Sequence, residues 1–285
     1  MNKIIQSLII QIVAFLLLFG CGGGDETEIT TVTDDVENSP ETTGNWYRPP
    51  IFSTWQWQLS GEVNTSYNVN IYDIDLFDSS TVLIQQLQAD KIKVICYFSA
   101  GTYEQWRSDE NKFNLSDIGL PLDNWPGENW LDIRSPNVLL IVKERLDLAA
   151  KKGCDGVEPD NVDGYTNNTG FNLTFNDQLR FNRTIANEAH SRNLAVGLKN
   201  NIEQAIELVD YYDFAVNEQC FDNSECNLLI PFIDNGKPVL NVEYATKYIQ
   251  DGKEKEALCT KSLGMQFSTL ILPSDLDGEF RLSCL

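Results

Sequence analysis

Apolar and polar positions follow two alternating patterns from residue 54 onward. Short runs rich in apolar and β-branched residues, typical of buried strands, are separated by stretches with helical periodicity. Eight strand-like runs occur, at 54–60, 69–78, 93–101, 153–159, 195–200, 212–219, 237–245 and 265–273. Because these runs alternate with helices, the pattern predicts an α/β fold, namely a (β/α)₈ barrel of the TIM type.

Five stretches predict the intervening helices: 79–90, 136–152, 174–193, 201–210 and 253–263. Pro136 stands at the start of the second, and Thr174 is the predicted N-cap of the third. A long aromatic insert occupies residues 102–134. A doubly wound open sheet is the alternative arrangement. No GxGxxG motif follows the first strand, so a dinucleotide-binding version is not expected.

Polar residues accumulate at the carboxyl ends of six predicted strands. These ends read YDIDLFD, YFSAG, VEPDN, LKN, VNEQC and VEY. In a barrel such ends meet at one rim, where the following loops build the active site. The pattern therefore favours a functional site over ordinary solvated strand ends.

The stretch GCDGVEPDN carries acids whose directions follow from strand alternation. Asp155 is expected to face away from Glu158 and Asp160. Asp160 should stand at the rim, and Glu158 one layer deeper with a partner such as Lys199 or a tyrosine. Two strands later, Glu218 ends another strand. A carboxylate pair across a barrel opening is what cleavage of a glycosidic bond requires.

The net charge and the aromatic residues indicate which classes of molecule the protein can bind. The chain has 42 acidic and 21 basic residues, a formal charge of -21, which argues against nucleic acid and is compatible with a cationic or neutral partner. Aromatic residues near the rim are suited to stacking on sugars, and about half of them are expected in the core. They are Trp55, Trp57, Tyr72, Tyr97, Tyr165 and Tyr244.

Cysteine and histidine usage bears on metals and on the compartment. His190, expected at a surface or helix end, is the only histidine, and no CxxC occurs, so we expect no metal, no cofactor and no Ser-His-Asp triad. Cys220 and Cys226 suit a local disulfide, and Cys259 and Cys284 a disulfide near the C-terminus. For Cys96 and Cys154 the sequence allows two alternatives, namely buried reduced thiols or a further disulfide.

The first 45 residues are expected to lie outside the folded domain. Residues 1–20 have one early base and a long apolar run, as a signal peptide does, and LFGC places Cys21 where a bacterial lipoprotein carries its lipid. Residues 21–45 predict a flexible acidic tether. We therefore expect a monomeric domain at 46–285, exported and lipid-anchored to the bacterial cell envelope through Cys21, or otherwise secreted.

Six motifs together resemble glycoside hydrolase family 114, the endo-α-1,4-polygalactosaminidases with spherulin-4-like proteins. They are WQWQLSG, YDIDLFD, VICYFSAG, GCDGVEPDNVDGY, VGLKN and VNEQC, in that order. The resemblance covers about Trp55 to Tyr244 and implies a TIM barrel that cleaves α-1,4-linked galactosamine or N-acetylgalactosamine polymers internally, without metal. A cationic aminosugar polymer would also suit the acidic chain.

The resemblance also implies residue roles. Asp160 corresponds to the nucleophile and Glu218 to the general acid/base of a retaining mechanism, and the reverse assignment stays open. As an acid, Glu218 is expected to have a raised pKa. The substrate-contacting shell implied by the family is Gln58, Asp75, Tyr97, Glu158, Lys199, Asn217, Gln219 and Glu243.

Two other functions are compatible with the same residues. One is a surface protein that keeps the barrel and binds glycan without cleaving it. The other is a glycosidase for a different α-linked galactoside. Retention of both Asp160 and Glu218 favours an enzyme over a binding protein.

Overall fold

The computed structural model describes residues 39–285. The predicted signal peptide, Cys21 and most of the predicted tether lie outside these residues, so the division at 1–20, 21–45 and 46–285 stays a prediction. Within residues 39–285, none of the helices combines the length and the apolar character needed to cross a membrane.

Eight parallel strands form the centre of the fold, and they correspond to the eight strand-like runs of the sequence. The order along the sheet is β1-β2-β3-β7-β8-β9-β10-β11, followed by the antiparallel β12. The strands are β1 Trp55–Gln58, β2 Ile71–Asp75, β3 Lys93–Ser99, β7 Gly156–Asp160, β8 Ala195–Lys199, β9 Phe214–Glu218, β10 Val239–Glu243, β11 Ser268–Ile271 and β12 Leu282–Ser283.

The last segment of the chain bridges the two ends of this curled sheet. The Arg281 guanidinium, just before β12, donates to the Trp55 carbonyl in β1 at 2.8 Å. The backbone N–H groups of Leu59 and Ser60 donate to the carbonyl of Leu276, which follows β11. The sheet therefore curls into the expected TIM-barrel-like fold, with side-chain and loop contacts at its seam.

Helices cover the outer face of the sheet, and most match the sequence prediction. They are α1 Thr81–Ala89, α2 Pro136–Lys152, α3 Phe175–Ser191, α4 Ala205–Leu208, α5 Ile230–Asp234, α6 Lys247–Gln250 and α7 Gly252–Gly264. Thr174 caps α3 by accepting from Asp177 N–H. The predicted helix at 201–210 is instead a 3₁₀ turn followed by the short α4.

The aromatic insert after β3 forms a small antiparallel sheet of its own. Its strands are β4 Thr102–Glu104, β5 Ile118–Pro121 and β6 Glu128–Leu131, in the order β4-β6-β5. Arg107 of the insert makes a 2.6 Å ion pair with Asp75 at the end of β2 and a 2.9 Å pair with Glu104. All three side chains are buried, so this network fixes the insert to the barrel rim.

The segment before β1 packs against the amino ends of the barrel strands, opposite the rim that the insert contacts. Trp46 donates from Nε1 to Oδ1 of Asp213, the residue before β9, at 2.8 Å. Its ring stacks on His190 with centroids 4.0 Å apart, and His190 Nε2 lies 2.9 Å from Asp213 Oδ2. His190 does end a helix, but it is buried at 4% exposure, not at the surface.

All six cysteines of the described residues form disulfides. Cys220 joins Cys226, and Cys259 of α7 joins Cys284. The pair that the sequence left open is also bonded: Cys96 of β3 joins Cys154, just before β7. This disulfide closes a chain segment that contains the whole insert and α2.

Candidate active site

The turns after three neighbouring strands share an unusual backbone conformation. Asn161, Asn200 and Gln219 directly follow β7, β8 and β9 and have φ values of 58°, 48° and 60°. Non-glycine residues seldom adopt this left-handed conformation, and asparagine does so more readily than most. Each turn leaves the last inward side chain of its strand, Asp160, Lys199 or Glu218, at the same rim.

Asp160 is held at the rim by three donors. The Tyr97 hydroxyl donates to Oδ2 at 3.1 Å, and Lys199 Nζ donates to Oδ1 at 3.0 Å. The backbone N–H of Asn161 donates to the same Oδ1 at 2.7 Å. Three hydrogen bonds of this kind fix the orientation of the carboxylate.

Glu218 has a comparable set of partners on the other side of Lys199. The Tyr244 hydroxyl donates to Oε1 at 2.6 Å, and Asn200 Nδ2 donates to Oε2 at 3.0 Å. Lys199 Nζ lies 3.1 Å from Oε2. The Asn200 side-chain oxygen also accepts from the Glu218 backbone N–H at 3.0 Å, so this asparagine positions both ends of the residue.

Lys199 is the charged centre of the site. Its ammonium lies between Asp160 and Glu218, 3.7 Å from Glu158 Oε1 and 5.1 Å from the centroid of the Trp57 ring. Burial alone lowers the pKa of Lys199, but the facing carboxylates outweigh burial and raise its pKa well above the ordinary value. Lys199 is therefore a fixed positive charge.

That charge changes the expected behaviour of Glu218. Burial raises the pKa of Glu218, but Lys199, Tyr244 and Asn200 together bring its pKa below the ordinary value. The prediction of a raised pKa is therefore wrong for the unliganded protein. The physical reason is that the charge nearest to Glu218 is a cation rather than a second carboxylate.

An open groove runs through the site. The central cavity, of about 320 Å³, is lined by Asp160, Lys199 and Glu218. It shares Trp130 and Asn167 with a cavity of about 290 Å³ on one side, which the insert bounds. On the other side, Asn200 and Glu218 also line a cavity of about 440 Å³. The acid pair therefore lies part-way along an extended groove.

Three further acids, Asp123, Glu128 and Asp163, line the central cavity. Glu128 of β6 accepts from Asn161 Nδ2 and from the Thr102 hydroxyl, and burial raises its pKa to about 7. Asp163, in the loop after β7, has its pKa raised to about 6 by burial and by Asp160. The cavity is therefore strongly acidic around its one lysine, which suits a cationic ligand.

A comparison of the sequence with models of protein families identifies the family of this chain. The model of glycoside-hydrolase family GH114 matches residues 36–285. The chain belongs to glycoside-hydrolase family GH114. This GH114 protein is therefore a glycoside hydrolase. A comparison with curated protein sequences yields no match.

Two solved structures place the GH114 fold in context. Aspergillus fumigatus Ega3, in complex with galactosamine, is 43% identical with a TM-score of 0.80, covering 85% of this chain and 99% of Ega3. The glycoside hydrolase domain of Pseudomonas aeruginosa PelA has a TM-score of 0.63 at 13% identity, covering 81% of this chain and 98% of that domain. The PelA likeness bears on the fold alone.

The structure brings five of the predicted residues of this GH114 chain together: Tyr97, Glu158, Asp160, Lys199 and Glu218. Asn217 and Gln219 lie next to them and line the neighbouring 440 Å³ cavity. Asp155 faces the outside, as predicted, where it forms a 2.7 Å ion pair with Lys93.

The other three predicted contacts have structural partners outside the groove. Gln58 donates to the backbone carbonyls of Ser60, Glu62 and Asp277 and so fixes loops beside β1. Asp75 holds Arg107 of the insert. Glu243 accepts from the Phe221 backbone N–H at 3.0 Å, on the outer side of β10. These three lie outside the groove because each is occupied in positioning a loop.

Two residues outside the predicted substrate-contacting shell bond Glu218 directly: Asn200, and Tyr244, which was expected at the rim only as an aromatic surface for sugars. Asn200 stands in the motif VGLKN, and Tyr244 stands in the motif VEY. Their position right after a strand was the available signal. Asp73 in β2 was also missed; it lies fully buried beneath the rim.

The rim aromatics divide between core and groove, as expected. Trp55 and Tyr72 are buried in the core, whereas Trp57 and Tyr97 line the central cavity. Trp125 of the insert also lines that cavity and is 58% exposed. An exposed indole beside an acidic groove is a suitable surface for stacking on a sugar ring.

Proposed function

We propose that this GH114 protein is an endo-acting hydrolase of α-1,4-linked galactosamine and N-acetylgalactosamine polymers, with Asp160 as nucleophile and Glu218 as general acid/base. The observation that carries the proposal is the shared cation: both carboxylates contact Lys199 Nζ within an acidic groove open to both sides. The likeness to Ega3, a galactosamine-bound structure, supports the sugar class.

The geometry supports a retaining route. Asp160 Oδ1 and Glu218 Oε2 share one nitrogen at 3.0 Å and 3.1 Å. Oxygens so arranged lie within about 6 Å of each other, closer to the separation of retaining than of inverting enzymes. An inverting enzyme needs room for a water molecule between its general base and the sugar.

The route has two steps. In the first, an Asp160 oxygen bonds to the anomeric carbon, the glycosidic C–O bond breaks, and the leaving oxygen takes the proton of Glu218. In the second, Glu218 removes a proton from water, the water oxygen bonds to the same carbon, and Asp160 leaves as carboxylate. Tyr97 and the Asn161 N–H keep Asp160 oriented in both steps.

The groove supports cleavage inside a chain. Cavities of about 290 Å³ and 440 Å³ flank the central one, so sugar units can be accommodated on both sides of the acid pair. An enzyme that removes end units needs a pocket closed on one side. The acidic lining would attract the ammonium groups of deacetylated units.

Export is part of the proposal. Three disulfides among the described residues are typical of proteins outside a reducing cytosol. Together with the signal-like residues 1–20, they support an exported protein, lipid-anchored to the bacterial envelope through Cys21.

The deciding experiment is mass spectrometry of the products from a defined, partly acetylated α-1,4-polygalactosamine. We expect oligomers of intermediate length, and proton NMR of the same reaction should show the new reducing ends first formed as the α anomer. Binding without shortening of the polymer would select the glycan-binding alternative. Activity only on neutral α-galactans would select a different galactoside hydrolase.

A further inference from the structure

Two carboxyl groups lie beneath the proposed acid pair. Asp73 of β2 and Glu158 of β7 are both 0% exposed and point into the barrel below Lys199. Apart from each other, their four carboxyl oxygens meet no hydrogen-bond donor among residues 39–285. Buried carboxylates without donors are costly, so this pair needs a physical explanation.

The strand register explains why the two carboxyl groups meet. Asp73 pairs in register with Ile95, and Ile95 pairs with Gly156. Gly156 has no side chain, and a Cβ there would come within 2.9 Å of Ile95 and Ala195. Ile95 and Ala195 fill the space beside Gly156, and Glu158, two residues further along β7, points to the same inner side of the barrel as Asp73.

A hydrogen bond between two carboxyl groups requires a proton. Asp73 and Glu158 are close enough to form such a bond when one of them carries the proton, and two bare carboxylates so placed would repel. Burial raises the pKa of Asp73 to about 7 and that of Glu158 well above its ordinary value. Two acids that interact in this way titrate as one unit.

Three charged or titratable groups face the pair from the surrounding strands. Lys199 of β8 approaches Glu158 Oε1 at 3.7 Å, Asp160 of β7 lies above, and Tyr97 of β3 borders Glu158. Lys199 is the only cation among them within the described barrel interior. One negative charge on the pair therefore acts on Lys199 from below, opposite to the two rim acids.

The proposed mechanism needs such a charge. Glu218 must carry a proton before it can protonate the leaving oxygen, yet Lys199 favours its ionised form. We propose that Asp73 and Glu158 hold one proton between them and that their single negative charge offsets Lys199, so that Glu218 can take up the proton that it donates. This inference rests on the proposed function; Asp73 and Glu158 are positioning residues that act through Lys199.

The first test measures the protons directly. Infrared difference spectra in the carboxyl stretching region compare wild type with Asp73→Asn, Glu158→Gln and the double variant at about pH 8, where one proton is expected. The double variant should lose the intensity of one protonated carboxyl group, whichever of the two residues carries the proton in the wild type. Glu243→Gln, a buried acid on the outer side of β10, is the matched control and should leave that band in place.

The infrared outcomes separate the charge states. If the double variant loses no band, both groups are ionised in the wild type and the inference is wrong. If the double variant loses twice the intensity, both are protonated, and no negative charge opposes Lys199. Because these spectra need no substrate, they hold whether or not the protein cleaves polygalactosamine.

The second test measures the effect on Glu218. Removing the negative charge in the double variant should lower the Glu218 pKa, so the alkaline limb of the kcat/KM profile should move down by about one pH unit. At a pH on that limb the rate should fall about tenfold. A lower kcat with an unmoved limb would indicate a packing role and overturn the inference. If wild type itself fails to cleave, the proposed function fails instead.

Discussion

Asp160 and Glu218 stand on strands β7 and β9 and meet at a single ammonium group from the strand between them. Lys199 Nζ lies 3.0 Å from one acid and 3.1 Å from the other. Each acid also receives one tyrosine hydroxyl and one group from an asparagine. This near-symmetry makes several matched substitutions informative.

Replacing either acid by its amide should abolish most of the activity. We expect Asp160→Asn and Glu218→Gln to lower kcat by about 10²–10⁴-fold, as loss of a nucleophile or an acid/base does. Reducing-end release from polygalactosamine measures this, with circular dichroism to confirm folding. Asp155→Asn is the matched control, because Asp155 lies near Asp160 in the chain but pairs with Lys93 outside the barrel. Wild-type cleavage by either amide variant would refute the assignment.

Tyr244 and Tyr97 should differ in their effect on the alkaline limb of the pH profile of kcat/KM. Tyr244→Phe removes the 2.6 Å hydrogen bond to Glu218, which lowers the Glu218 pKa in the wild type. The Glu218 pKa should therefore rise, and the alkaline limb of kcat/KM should move to higher pH. Tyr97→Phe removes the bond to Asp160 and should leave that limb unmoved. Equal shifts in both variants would show that the limb does not report Glu218.

The lowered pKa of Glu218 also affects the stability of the folded protein. A carboxyl group whose pKa is lower in the folded state stabilises the fold above its unfolded pKa, and the contribution is lost as pH falls through the folded pKa. Tyr244→Phe should therefore reduce this contribution at neutral pH, and the difference from wild type should shrink in acid. Thermal unfolding as a function of pH measures both values.

Salt should weaken the use of cationic substrate. The chain carries a formal charge of -21, and Glu128 and Asp163 line the central cavity. Raising ionic strength should increase KM for a deacetylated polymer, because salt screens attraction between the acidic protein and ammonium groups. A fully acetylated, neutral polymer is the control and should show little change. Equal salt effects on both polymers would exclude electrostatic attraction as the cause.

The disulfides should differ in their contribution to stability. The Cys96–Cys154 bond spans 58 residues, and the Cys220–Cys226 bond spans 6. From loop entropy alone, alanine replacement of the first pair should cost about 4 kcal/mol and of the second about 2 kcal/mol. Urea unfolding measures both. A larger loss from the short loop would show that native packing, rather than loop closure, determines the effect.

Sequence reasoning identified the barrel well because each strand has a continuous apolar run and a polar end. It placed Asp160 and Glu218 from strand alternation and family resemblance. Substrate contact by Gln58, Asp75 and Glu243 stays a prediction; in the structure these side chains hold neighbouring loops or the insert, as an acid or amide at a strand end can. Arg107, the partner of Asp75, comes from an insert whose folding has no simple periodic pattern.

The prediction for the pKa of Glu218 was wrong. Alternation along a strand gives the direction in which each side chain points. It does not give the side chain of another strand that lies nearest to it. Lys199 reaches Glu218 from the neighbouring strand β8, and its amine is at the end of a long flexible chain. Only three-dimensional packing shows that a cation, not a carboxylate, stands beside this acid.

The contact of Trp46 with Asp213 shows at which end of the barrel the described chain begins. Trp46 is bound to Asp213 at the amino end of β9, whereas the groove lies at the carboxyl ends of the same parallel strands. The described chain therefore begins at the end of the barrel that lies away from the groove. Residues 39–46 leave the carboxyl-end rim open to a polymer that approaches from solution.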